Sequence, residues 1–201
     1  MNLQFPKFLR PFIGKYTWRK LPSSKTIYIT FDDGPVPEVT PFILKLLDEY
    51  GIKATFFCVG ENVKKYPELY QEVLSRGHQV GNHTYNHLKG CSVSKEEYLN
   101  NIEKAARLID SNLFRPPYGK MKRSQQKALN EKYELILWDV ITYDYNTKLS
   151  PQKVFNNVKH YTRNGSIILF HDSIKAKNNV LAVLPLAIEF WNKKGYNFGV
   201  I

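Results

Sequence analysis

The sequence predicts an α/β fold whose parallel strands close, or nearly close, into a TIM-barrel-like barrel. Three observations carry that expectation. Seven short runs rich in aromatic and β-branched residues alternate with longer stretches of helical periodicity. The chain has 201 residues, 43% of them hydrophobic, which is enough to bury one sizeable core and argues against disorder. Polar and titratable residues gather just after the strand-like runs, and in a barrel of parallel strands those ends share one rim.

The strand-like runs are TIYITF (26–31), ATFFCV (54–59), HQVGN (78–82), LFRP (113–116), LILWDV (135–140), SIILF (166–170) and NFGVI (197–201). In the first helical stretch, EVTPFILKLLDEYG, the spacing sets Phe42, Ile43, Leu46 and Leu47 on one face and Gly51 stops it. ENVKKYPELYQEVLSRG does the same with Val63, Tyr66, Leu69, Tyr70, Val73 and Leu74, and Pro67 is placed to kink or split it. SKEEYLNNIEKAARLI opens on a capping box, Ser94 with Glu97, and buries Tyr98, Ile102, Ala105 and Ile109. SPQKVFNNVKHYTRNG takes Ser150 as its N-cap, Pro151 as its first helical residue and Gly165 near its exit. A last helix runs through VLPLAIEFWNKKG. No repeat, low-complexity stretch or linker divides the chain, so residues 1–24 are read as a basic segment packing on one domain of 25–201.

The net charge is +11, with six Lys or Arg and no acid in residues 1–25 and further basic excess over 115–132 and 148–177. Such a surface favours anionic partners, or is simply a solvated basic face. No zinc finger, RNA-binding signature or basic heptad accompanies it, so no nucleic-acid partner is expected. Cys58 reads as a small core residue and Cys91 as a loop residue, and two cysteines make no disulfide framework. No apolar run reaches the roughly 20 residues of a membrane helix. The N-terminus lacks a signal-peptide pattern, which favours a cytoplasmic location, with export or peripheral membrane association as alternatives. Phe5, Phe8, Leu9 and Phe12, interleaved with basic residues, are the candidates for a peripheral membrane contact.

The chemistry is expected on the rim. Asp32 and Asp33 follow the first strand, NHTYNH (82–87) the third, RPPYG (115–119) the fourth, WDVITYDY (138–145) the fifth, and His171 with Asp172 the sixth. His83 and His87 stand four apart, so one helical turn there would point both imidazoles the same way. With an aspartate from a neighbouring strand end they make a three-ligand set that leaves room for water, the pattern of a catalytic zinc site. A cation would hold one of the paired aspartates ionised, and Arg115 is the candidate partner for the other. Asp-Gly-Pro is also ordinary turn chemistry. His171, at a strand end, has an ordinary pKa of about 6.5 that suits proton delivery near neutrality.

TFDDGP, HTYNH, RPPYG, the Trp-Asp segment and LFHD stand in one order from about residue 25 to the end, and in this the chain resembles polysaccharide deacetylases of carbohydrate esterase family 4, the NodB-homology domain. The resemblance implies a distorted (β/α) barrel with fewer than eight strands. It implies hydrolysis of acetyl groups from N-acetylated sugars of a chitin- or peptidoglycan-like polysaccharide. Asp32 would be the general base, positioned by Arg115, and His171 the general acid. Asp33, His83 and His87 would bind one divalent cation, Zn2+ first, with Co2+, Ni2+ or Mn2+ as alternatives. Tyr118 would line the groove and offer its backbone N–H to the oxyanion, Leu169 would wall the acetyl methyl, and Pro117, Tyr145 and Asp144 are counted with the substrate-binding residues. The chain departs from the family where Ile141 takes an Asp position and Tyr145 a Trp position, which leaves open whether Asp144, Asp139 or neither supports His171. The departure keeps two alternatives in play: a glycan-binding module with weak catalysis, and a metal-dependent hydrolase of another amide or ester. A monomer is expected.

Overall fold

The computed structural model describes residues 14–201, so Phe5, Phe8, Leu9 and Phe12, named for membrane contact, lie outside the described residues. Eight strands form one parallel sheet: β1 (Thr26–Asp32), β2 (Thr55–Cys58), β3 (Gln79–Asn82), β4 (Leu113–Phe114), β5 (Glu134–Leu135), β6 (Val140–Ile141), β7 (Ile167–His171) and β8 (Asn197–Gly199). Their order is β5-β4-β3-β2-β1-β7-β6, with β8 on the first half of β1.

The expected strand 135–140 resolves into two. Its start is β5, bonded to β4, and its end is β6, bonded to β7 at the opposite end of the sheet order. Ile136 N–H donates to Phe114 O and Asp139 N–H donates to Ile167 O, so one extended run joins both ends of the curled sheet. Counted as one run, β5 and β6 leave seven parallel strands in a distorted barrel. Residues near the N-terminus brace this seam, with Thr17 bonded to Leu135 and Leu137 and Lys20 to Gly165.

Among the described residues, seven α-helices cover the strands: α1 (Thr40–Glu49), α2 (Gly60–Lys65), α3 (Pro67–Ser75), α4 (Lys95–Ala106), α5 (Arg123–Leu129), α6 (Pro151–Tyr161) and α7 (Lys177–Lys193). Pro67 splits the second expected helix, ending α2 and opening α3 as its first residue. Ser94 and Ser150 cap α4 and α6, accepting from the backbone N–H groups of Glu97 and Lys153. Two expectations need correction. Phe42 is 55% exposed, because the buried face of α1 runs through Thr40, Ile43, Leu44 and Leu47 and leaves Phe42 on the far side of the helix. Leu74 is likewise exposed, on a helix that buries Tyr70 and Val73. The short α5 has no apolar period to betray it. No helix among the described residues is long and apolar enough to cross a membrane.

The core lies between sheet and helices. Phe31 stacks on Phe56 with ring centroids 4.9 Å apart, and Val180, Leu184, Ile188 and Trp191 of α7 are fully buried. Side chains of this kind contribute about 1.5–3 kcal/mol each on burial. That packing holds β1 and β7 rigid up to their carboxyl ends, where the polar residues begin.

Candidate active site

β1 ends on Asp32 and β7 on His171, and the register of the two strands sets these residues side by side. Asp172 N–H donates to Asp32 O at 3.0 Å, which locks the two strand ends together. The chain then turns at Asp33, whose φ of 87° is left-handed. Gly34 N–H donates to Asp172 Oδ1 at 2.9 Å, and a Cβ on Gly34 would lie 1.8 Å from Asp172 Oδ2, so only glycine fits beneath that carboxylate. Asp172 Oδ2 also accepts from the Thr40 hydroxyl at 2.7 Å, and Asn62 Nδ2 donates to Asp33 O at 2.7 Å. The double-aspartate turn is therefore braced from three sides.

The loop after β3 carries the two histidines, though not on a helical turn as the spacing suggested. Thr84 and His87 take left-handed backbone angles, φ 66° and 57°, and this brings the imidazoles to 5.1 Å between centroids. Left-handed backbone at a β-branched residue costs on the order of 1 kcal/mol or more. Local bonds offset that cost: Thr84 N–H donates to Asn82 Oδ1, Leu88 N–H to Thr84 Oγ1, and Tyr85 N–H to Asn101 Oδ1.

His83, 2% exposed, donates from Nδ1 to Arg115 O at 2.7 Å, which leaves the Nε2 lone pair facing Asp33. Burial, with His87 next to it, pushes the His83 pKa down to about 3, so the ring is neutral. Asp33 Oδ1 lies 3.8 Å from His83 Nε2 and 3.4 Å from His87 Nε2, and the three ligand atoms are all within 4.8 Å of one another. Asp33 Oδ1 is buried and has no hydrogen-bond partner among the described residues. A buried carboxylate oxygen facing two imidazole nitrogens is satisfied by a divalent cation, so these residues fit one. The Tyr118 ring packs edge-on against His87 at 4.8 Å and holds that ligand in place.

Asp32 is buried beside this set. Its Oδ1 accepts from Arg115 Nη1 at 2.6 Å, and its Oδ2 lies 3.7 Å from His83 Nε2. Arg115 is fully buried, donates also to Thr30 Oγ1 and Leu137 O, and lies 4.0 Å over the Phe57 ring. A guanidinium so fixed positions the carboxylate by a charge-assisted bond.

Across the groove, Asp144 holds His171, accepting from both its Nδ1–H and its backbone N–H. Burial pulls the imidazole pKa down, but the carboxylates of Asp144, Asp33 and Asp32 outweigh it and raise the value to about 9. The ring is therefore a charged acid at neutral pH. Asp139 is instead paired with Arg163 and Ser166, on the β7 side of the seam, so the departure at Ile141 leaves the support of His171 intact.

One groove of about 470 Å³ brings together Asp32, Asp33, His83, His87, Tyr118 and His171, with Leu169 and Tyr145 in its wall. Two residues grouped with substrate binding belong elsewhere. Asp144 is fully buried with both oxygens engaged by His171, and Pro117 is buried at the start of the short turn that presents Tyr118. Trp138 and Ile141 join the apolar wall, although the sequence assigned them no role. Asn179, whose Nδ2 donates to Asp144 O at 2.9 Å, carried no sequence signal, whereas Asp172 stood in LFHD beside the histidine.

An arginine-paired aspartate, a carboxylate-held histidine and a set of three side chains that fits a cation, gathered around one groove on a barrel rim, are the equipment of a metal-dependent hydrolase. The polysaccharide deacetylase family matches residues 19–134. The chain is 35% identical over 193 residues to a peptidoglycan-N-acetylglucosamine deacetylase of Bacillus cereus, covering 92% of this chain and 90% of that protein. It is 32% identical to the peptidoglycan-N-acetylglucosamine deacetylase PgdA of Listeria monocytogenes over 90% of this chain, which spans only 39% of that longer protein. The crystal structure of the Bc1960 peptidoglycan N-acetylglucosamine deacetylase superposes with a TM-score of 0.89 at 31% identity, covering 98% of this chain and 95% of that one. The chain belongs to the polysaccharide deacetylase family, and its activity is that of the family, hydrolytic removal of acetyl groups from N-acetylated sugars.

Proposed function

We propose that this deacetylase acts on N-acetylglucosamine units of peptidoglycan, with Zn2+ held by Asp33, His83 and His87. The relatives named above, acting on that polymer, support the substrate. The single observation that carries the chemistry is the buried, unpartnered Asp33 Oδ1 facing two histidines next to the Arg115-paired Asp32.

A divalent cation bound there supplies Lewis-acid polarisation of the acetyl carbonyl and makes water a better nucleophile at neutral pH. Asp32, fixed by Arg115, takes the proton of the attacking water. The Tyr118 backbone N–H is the donor for the developing oxyanion, and losing one such donor typically costs about 3 kcal/mol. His171, charged against Asp144, gives its proton to the amide nitrogen as the C–N bond breaks, releasing acetate and the free amine. Leu169, Trp138 and Ile141 wall the acetyl methyl and exclude water from it. All of these groups come from one chain, which supports a monomer as the working unit.

The test is acetate release from peptidoglycan and from N-acetylglucosamine oligomers, before and after chelation, with Zn2+, Co2+, Ni2+ or Mn2+ added back. Chelation is expected to abolish release and Zn2+ to restore it. Release indifferent to the chelator would remove the proposal.

A further inference from the structure

The reaction groove continues past the cation site. A second groove of about 600 Å³ shares Asp33, His87, Ser173 and Lys175 with the first. Where the first is walled by aromatic and aliphatic side chains, the second is polar, with Glu38, Glu61, Asn62 and Lys65 on its surface. A polymer lying across both sets one sugar at the reacting centre and its neighbour in the polar groove.

The two lysines of that groove are used differently. Lys65 lies in the second groove and not the first, beside Glu38 and Glu61, with its ammonium 5.0 Å from the Tyr66 ring. Lys175 is exposed, makes no ion pair among the described residues, and has its ammonium 5.8 Å from the Tyr145 ring that packs on His171. Asp33, the acid that both grooves share, is committed to the cation site. The segment bearing Lys175 is pinned at both ends. Asp172 is tied to Gly34 and Thr40, and Ala176 is fully buried with its N–H on Ser173 O. An unanswered cation is thus presented from a fixed turn at the junction of the two grooves.

We infer that Lys175 binds a carboxylate on the sugar next to the one being deacetylated, and so selects glycans carrying an acidic substituent over neutral ones. This rests on the deacetylase reading above. An ammonium is a compact charge with rotatable donors, suited to a carboxylate that arrives in no single orientation. Because the site is exposed, the pair is screened and modest, so it acts on substrate affinity rather than on the chemical step.

The experiment uses two tetrasaccharides of alternating N-acetylglucosamine and its 3-O-lactyl derivative. They differ only in whether the lactyl group is a free carboxylate or a carboxamide. The wild-type KM is expected to be about fivefold lower for the carboxylate at low salt, with the preference shrinking as salt rises. Lys175→Met brings the ratio of the two KM values to about one and leaves the ratio of the two kcat values unchanged, while Lys175→Arg keeps the preference. A wild type blind to the carboxylate, or a Lys175→Met variant that retains the preference, overturns the inference. No acetate from either substrate with wild-type enzyme sinks the deacetylase reading itself, and this inference with it.

Discussion

Asp144 grips His171 at two points, with Oδ1 2.8 Å from the ring Nδ1 and Oδ2 2.7 Å from the backbone N–H. The first bond fixes the tautomer and leaves Nε2 for the groove, and the second fixes the strand end that carries the ring. The pair sets the basic side of the pH profile. With the pKa raised to about 9, the acid form persists through neutrality and is lost as pH climbs through that value. Asp144→Asn removes the largest carboxylate contribution, so the falling limb of kcat against pH moves down towards the ordinary value of about 6.5. The rate at pH 8 should fall by up to roughly thirtyfold, the loss of the protonated fraction at that pH. A limb that stays where it was would detach Asp144 from the chemistry. The same raised proton affinity adds stability fully present below about pH 6.5 and lost as pH rises through about 9.

Asp32 and His83 lie 3.7 Å apart and should fail differently. Asp32→Asn keeps the cation, because the three ligand atoms remain, while kcat drops on the order of a hundredfold to ten-thousandfold. His83→Ala loses cation and turnover together. Metal content by elemental analysis, measured beside acetate release, separates the two. Full activity in Asp32→Asn would end the assignment of the base.

Arg115 should matter to folding as much as to catalysis. Replacing it with Met strands the Asp32 carboxylate in a dry site, and breaking a buried pair on one side costs about 3–5 kcal/mol. In a chain of this length that is a fall in Tm of roughly 6–20 °C. Calorimetry of the purified variant would show it, and a Tm within 2 °C or so of the parent would contradict the accounting.

His78 sits at the opposite end of the barrel, where its Nδ1 accepts from Ala54 N–H at 3.2 Å and its ring packs edge-on against Phe56. Burial, and then Lys53, push its pKa down to about 4. The unfolded chain takes up this proton near pH 6.5 and the folded chain only near 4, so stability falls as pH drops through that window. His78→Gln keeps an acceptor but cannot titrate, and its Tm should decline less than the wild type's between pH 6.5 and 4. His83, also pushed low by burial, acts in the same direction in both proteins, so the difference between the two curves is what counts. Parallel curves would refute the role of His78.

Much of this molecule is written locally. Strand runs, the Pro67 break and the serine caps follow from residue type and spacing, which act within a few positions along the chain. The residues that the structure gathers around the groove were legible for a related reason: titratable groups after apolar runs are conspicuous, and parallel strands bring their ends to one rim. The helical turn expected for His83 and His87 was misread because spacing alone does not reveal left-handed backbone stabilised by distant partners such as Asn101.

Chain order and periodicity thus specified the barrel, its rim and the identity of the groups on it. They were silent on which of two aspartates, 139 or 144, would reach His171, since both stand in the one WDVITYDY segment. Closure of the barrel settled that: β6 pairs with β7, Asp139 falls to Arg163, and Asp144 is carried round to the histidine. The placing of Lys175 between two grooves has the same origin. Such contacts join residues far apart in the chain, and their geometry exists only once the sheet has curled and the helices have packed against it.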